Sequence, residues 1–505
     1  MRVLMEKQGW ELYATFEAHF SLAANEAARK YENPSLATLT VSKPTWKRWV
    51  AGDQVPRGDA GLILEVMFGV SVDELLGPAP AREVVFPRKP HDASFAAARR
   101  LDTAFDSSFL SLVGAPPGAG GVWELMGLRL FDGTRVAIQV YEASMQDDVV
   151  MIGADDQPHM RTFTQAQRRA LLLGSLGASG GQGLFVLDAA HARRRSAMPG
   201  DVLLIPATYR IDDLTFALLW AMLNLDDSLL ADDWDLDAEQ AGLEYFLTQR
   251  RSAVARAGMP ELSNVGAAWL GSRFCTDYIT RHLDWATESP LFWCREQFGE
   301  EASNWLFFRH KHRCLTTLAR FGSAGVPSGQ VFCIPETAVQ TSEPYERVLV
   351  FLAIALMEMY GLNVWVCADP EYTQVHGFAL VPQQRAVRAD WLRTEAVWHV
   401  EVTDEPAEIR TYTNAVGHAQ ERSIMAGPTP SVRLRALAEY LGLDWRWLVQ
   451  RCRELGCHGT EGMLRPRSRL LSADVIDRVL QFVGDLGPDG QPSGAGRWGA
   501  LSDGG

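Results

Sequence analysis

Residues Leu39 to Gly77, LTVSKPTWKRWVAGDQVPRGDAGLILEVMFGVSVDELLG, constrain this chain more than any other stretch. Val41-Ser42 forms a polar corner ahead of a helix with Lys43, Lys47 and Arg48 on one side and Trp46 and Trp49 on the other. Residues at i and i+3 share a helix face, so the two tryptophans suit an inner surface. Ser42 suits the N-cap, and Pro44 is tolerated in the first turn. Gly52 and Pro56 end the helix. A second apolar helix closes on Phe68-Gly69-Val70-Ser71 and Asp73-Glu74-Leu75-Leu76. This is the layout of a helix-turn-helix, in which the helix carrying Lys43, Lys47 and Arg48 would be the recognition helix, offering donors to base edges and phosphates while its inner face packs. The DNA-contact candidates are Ser42, Lys43, Thr45, Lys47, Arg48 and Arg57.

The segment resembles the XRE (lambda repressor-like) helix-turn-helix family in Val41-Ser42, in Trp49-x-x-Gly52, in Pro56 and in the closing run from Phe68 to Gly77. It departs upstream, where a long helix from Trp10 to Lys30 and a break over Tyr31 to Ser35 replace the compact first helices of that family. The resemblance implies a transcriptional regulator that binds double-stranded DNA as a homodimer or higher homo-oligomer. The alternative is an interaction scaffold that uses the helix-turn-helix for assembly. The segments Asp212 to Asp233, His282-Leu283-Asp284 and Phe292 to Ser303 are similar to parts of large multi-domain regulators of actinomycetes. Richness in Ala, Gly, Arg and Leu with few Lys agrees with such a source.

The rest of the chain sets limits on this reading. A net charge of −14 means the whole molecule is not drawn to nucleic acid, so any DNA contact needs a local basic face. Seven cysteines without Cys-x-x-Cys spacing read as reduced thiols. The start MRVLMEKQGWELY has no apolar signal run, and no charge-free apolar stretch reaches about 18 residues. A cytoplasmic, nucleoid-associated location without membrane contact is expected.

At 505 residues, roughly three or four domains are expected. The fold class reads as multi-domain and mainly α with an α+β middle. The expected divisions are a helix-turn-helix bundle over 1–78, a Pro-rich linker over 79–93 and a mixed α+β domain over 94–210. A mainly helical region over 211–340 and an α+β region with an antiparallel meander over 341–425 follow. A small basic helical module over 431–485 and a disordered tail over 486–505 end the chain. Within these, Asp132-Gly133 between alternating apolar runs signals a hairpin. Strands are expected at Val149–Ile152, Leu184–Leu187 and Val364–Cys367, and helices at Ser94–Ala104, Thr164–Leu173 and Glu343–Tyr360. Phe378–Val381, Ala386–Trp391 and Ala396–Val402 alternate as a meander, and Arg433–Tyr440, Asp444–Leu455 and Ser472–Val483 read as three helices.

Arg446, Arg451, Arg453, Arg465, Arg467 and Arg469 give the last segment a basic excess. It reads equally as a second nucleic-acid contact or as a solvated, Arg-rich helical cap. The segment is similar to the helical N-terminal module of bacterial translation initiation factor 2 and to short winged-helix pieces. Chemistry-bearing motifs are sparse. His310-x-His312-x-Cys314 has zinc-ligand residue types, but a helix scatters them, so no metal or other cofactor is expected. Gly114–Gly121 and Gly174–Gly183 lack the Gly-Lys-Ser/Thr ending of a phosphate loop and read as loops. Asp226-Asp227 and Asp232-Asp233 read as an exposed acidic loop. No His-Glu-x-x-His is present, and no enzyme activity is expected. Trp220, Trp234, Trp269, Trp285, Trp293 and Trp305 either fill an ordinary core or line a pocket for a small-molecule effector.

Overall fold

The computed structural model describes residues 13–31, 33–51, 55–68, 119–153, 157–166, 169–176, 183–195, 202–256, 261–283, 288–322, 328–394 and 396–487. Among them are sixteen α-helices and thirteen strands in two mixed sheets. The chain divides into two compact units, Met1–Phe86 and Pro87–Gly505. Gly52, the run Gly69 to Gly77, the expected linker, the expected helix Ser94–Ala104, Trp285 and the tail from 488 lie outside the described residues.

In the first unit α1 (Tyr13–Lys30) is followed by a 3-10 turn (Pro34–Thr38), α2 (Lys43–Ala51) and α3 (Asp59–Phe68). Phe16, Phe20, Ala23, Ala24 and Ala27 fall on one face of α1 at helical spacing and are buried. They share a cluster with Leu36, Trp46, Trp49, Ile63 and Leu64. The 3-10 turn is started by Asn33, whose side chain accepts the Ser35 N–H. Twelve residues, Tyr31 to Ser42, thus separate α1 from α2, and no tight turn joins them.

The second unit opens with β1 (Ala119–Leu125), β2 (Thr134–Gln146), β3 (Val149–Ile152), α4 (Gln157–Ala166), β4 (Ala170–Leu176), β5 (Gly183–Asp188), α5 (Ala189–Arg195) and β6 (Leu203–Pro206). Their order is β5-β4-β2-β3-β6, with β1 on β2 and only β2 and β4 parallel. After β6 the Ile211 N–H donates to the Leu184 carbonyl at 2.7 Å, which brings this edge round to β5. The hairpin expected around Asp132-Gly133 forms, with Leu125 opposite Thr134 and Gly133 at φ +86°. Its first strand ends before Leu128, so Met126 to Gly133 is a long loop. The helix expected over Thr164–Leu173 is wrong in register: α4 ends at Ala166, and the fully buried run ALLLGSL is strand β4.

Next come α6 (Asp213–Ala231), α7 (Asp233–Leu243), β7 (Arg251–Ala255), α8 (Asn264–Leu283), β8 (Leu291–Cys294), α9 (Gly299–Phe307) and α10 (Arg309–Gly322). They are followed by β9 (Gly329–Cys333), α11 (Glu336–Thr341), α12 (Pro344–Met359), β10 (Asn363–Cys367), β11 (Phe378–Val381), β12 (Arg385–Asp390) and β13 (Ala396–Thr403). The second sheet runs β10-β9-β8-β11-β12-β13-β7. β8, β9 and β10 are parallel, which requires crossover connections, supplied here by α9–α10 and α11–α12, and the remaining pairings are antiparallel. Among described helices only α6 is long and apolar enough to cross a membrane, and 78% of that window is buried inside the fold.

The chain closes with α13 (Pro406–Glu421), α14 (Pro430–Tyr440), α15 (Trp445–His458) and α16 (Asp474–Asp485). The last three do not stand apart as a small module. Leu437, Leu448 and Val479 belong to one hydrophobic cluster with Trp123, Trp220, Phe351 and Trp398. Backbone bonds tie the same segment to both sheet regions: Asp188 N–H to Gly462 and Ser472 N–H to Phe307. The boundaries expected at 210, 340 and 425 therefore do not separate compact units.

Candidate nucleic-acid interface

Helix α2 has nine residues, too few to be stable alone. Its stability comes from Trp46 and Trp49, 8% and 5% exposed, whose burial contributes roughly 2–3 kcal/mol each. The Phe16 and Trp46 ring centroids lie 6.1 Å apart. Ser42 begins the helix as its sequence implies: its Oγ accepts the Thr45 N–H at 3.4 Å and lies 2.9 Å from Thr45 Oγ1. Thr45 is thus half-buried, its hydroxyl engaged with Ser42.

Packing the indoles inward leaves Lys43, Lys47 and Arg48 exposed on the opposite face. None of the three forms an ion pair among the described residues, although Arg48 Nε reaches back to the Pro44 carbonyl at 3.4 Å. Arg57 is exposed between α2 and α3, beside the buried Pro56. Six Lys and Arg residues stand between positions 29 and 57 against two acids, Glu32 and Asp53. The local surplus is positive in a chain of net charge −14.

The C-terminal arginines are not one basic face. Arg451 is 3% exposed and bonded to Asp212 at 2.5 Å, Glu454 at 2.7 Å and the Thr208 carbonyl at 3.0 Å. Burial alone would lower its pKa, but Asp212 and Glu454 raise it above the ordinary guanidinium range. Arg453 closes the end of α16, donating twice to the Gly484 carbonyl. Arg469 pairs with Asp233 at 3.1 Å and Asp237 at 2.5 Å. Arg446, Arg465 and Arg467 stay exposed. Burial first, then Arg193 among its neighbours, lowers the Arg467 pKa.

The paired acids are likewise not an exposed loop. Asp226, at 0% exposure on α6, accepts the Arg467 and Ser468 N–H groups at 2.8 and 2.7 Å and pairs with Arg169. Asp232 accepts both N–H and hydroxyl of Ser263. His310 and Cys314 lie on α10 with His312, and the histidines face different partners: Ser272 Oγ at 2.9 Å and the Leu306 carbonyl at 3.0 Å. Burial lowers the pKa of both, His312 to about 4. Gly174 lies inside β4 and Gly183 begins β5, while 177–182 are outside the described residues.

The tryptophans divide. Trp220 is in the core with its Nε1 on the Met126 carbonyl, Trp269 is buried, and Trp234 is 87% exposed. Trp293 and Trp305 line a cavity of about 70 Å³ together with Trp391, Lys311 and Glu296. Lys311 and Glu296 are not evident from sequence because a Lys between two histidines looks like a solvated helix face. The available signal is α10's amphipathicity: Leu315 and Leu318, at i+4 and i+7 from Lys311, are buried. Neither family models, nor curated proteins, nor solved structures give a match to this chain.

Proposed function

We propose that this protein is a cytoplasmic, sequence-specific DNA-binding transcriptional regulator of the XRE type, acting as a homodimer, with α2 as its reading helix. The observation that carries the proposal is the division of α2. Trp46 and Trp49 are buried, and Lys43, Lys47 and Arg48 are exposed without ion-pair partners among the described residues. A helix held by its indoles presents those cations to phosphates and base edges at low conformational cost. The second unit takes the effector role: a ligand that favours one state of the protein shifts the population competent for DNA.

The test is the variant Lys43→Ala/Lys47→Ala/Arg48→Ala in the full chain. Affinity for a selected duplex at moderate salt is expected to fall about tenfold or more, and the salt slope to drop by about 0.9 for each phosphate that is no longer neutralised. An unchanged affinity and slope would remove α2 from the interface and favour assembly as its role.

A further inference from the structure

The cavity behind Trp293 and Trp305 lies at the carboxyl end of β8. The connection leaving β8 returns at β9, whereas the chain leaving β10 crosses to β11 on the other edge of β8. β11 is antiparallel to β8, so the cavity lies where the parallel part of the sheet meets the antiparallel part. Here α8 and α10 complete the wall.

Two charged side chains reach this space and lack a close partner for their charge. Lys311 is 5% exposed, with Nζ 3.8 Å from the Trp305 ring centroid and 5.5 Å from that of Trp391. Its ion-pair partner is Glu296 Oε1 at 4.0 Å, well beyond a charge-assisted hydrogen bond of about 2.7–2.9 Å. Glu296 is 4% exposed and accepts Trp305 Nε1 at 3.0 Å. The other two ionic groups in the wall are partnered: Asp390 takes the Gly377 N–H at 2.5 Å and pairs with Arg295, His376 and Arg388, and Arg295 also donates to the Leu392 carbonyl at 3.1 Å. A buried ammonium without a short acceptor is poorly solvated, and an oxygen-bearing occupant supplies the missing acceptor.

We propose that this cavity is a binding site for a small carboxylate, held through its oxygens by Lys311 Nζ, with its hydrocarbon part against Trp305 and Phe292. Burial raises the Glu296 pKa, opposed by Lys311, so the site gains positive character when Glu296 is protonated. The volume suits an occupant of about acetate to propionate size, counting roughly 30 Å³ per displaced water. The inference deepens the effector role of the second unit, but its test uses protein without DNA and so fails or succeeds separately from DNA binding.

Calorimetric titration of the full chain with propionate and with propionamide decides it. Propionate is expected to bind at least about tenfold more tightly than the amide, the equivalent of one charged hydrogen bond. Lys311→Met is expected to erase that preference. Glu296→Gln, which keeps an acceptor for Trp305 and removes the competing charge, is expected to keep or strengthen it. Equal binding of acid and amide, no binding of either, or equal loss in both variants would overturn the proposal. Should Lys311→Met not fold, the acid–amide comparison on the unaltered chain and on Glu296→Gln still decides.

Discussion

Arg451 and Asp212 illustrate how individual charges are used in the second unit. Asp212 caps α6 by accepting the Thr215 N–H at 3.0 Å, and Arg451 from α15 satisfies the other oxygen. Removing one partner strands the other in the core. Arg451→Ala is therefore expected to destabilise the second unit by about 3–5 kcal/mol in urea unfolding. DNA affinity should not change, in contrast to a nucleic-acid contact. Glu346 gives a pH signature. It is fully buried, accepts Arg129 Nη1 at 2.8 Å, and burial pushes its pKa up to about 7 from 4.5. A carboxyl whose pKa is raised on folding adds stability that is complete below pH 4.5 and is lost as pH rises through 7. Glu346→Gln should flatten the stability profile between these limits relative to the unaltered chain, measured as denaturation midpoints at several pH values. An identical slope would show that Glu346 does not titrate there.

At the scale of elements, the most legible parts were those whose burial follows a simple period. α12 runs Pro344–Met359 where an apolar helix was expected, and Gly361 at φ +76° follows its end. The meander of β11, β12 and β13 lies where alternation placed it. Strands buried on both faces were harder to read. ALLLGSL and LFWC have no alternation, so composition alone does not separate them from helix. In α2 the division between tryptophans and cations was readable because it depends on spacing within one helix. The fates of Arg451, Arg453 and Arg469 were not readable, because Asp212, Gly484, Asp233 and Asp237 reach them only through tertiary packing. Trp46 ties α2 to α1, so Trp46→Ala is expected to cost about 3 kcal/mol or more in the first unit. Loss of DNA binding should accompany it even though no cation has been altered.

For the whole molecule, the division into Met1–Phe86 and Pro87–Gly505 predicts two calorimetric unfolding transitions. Trp46→Ala should lower one, and Arg451→Ala the other; a single transition moved by both would mean that the units unfold together. The charge distribution gives the central claim its sharpest test. A protein of net charge −14 has no bulk attraction to DNA, so selective binding must come from a small basic surface. The most direct measurement is selection of duplexes from a random pool by the purified full chain, followed by sequencing. A DNA-reading dimer should enrich a motif with two half-sites about 10 base pairs apart, and Lys43→Ala/Lys47→Ala/Arg48→Ala should lose that enrichment. A pool with no enriched sequence, or the same motif enriched by the triple variant, would contradict it.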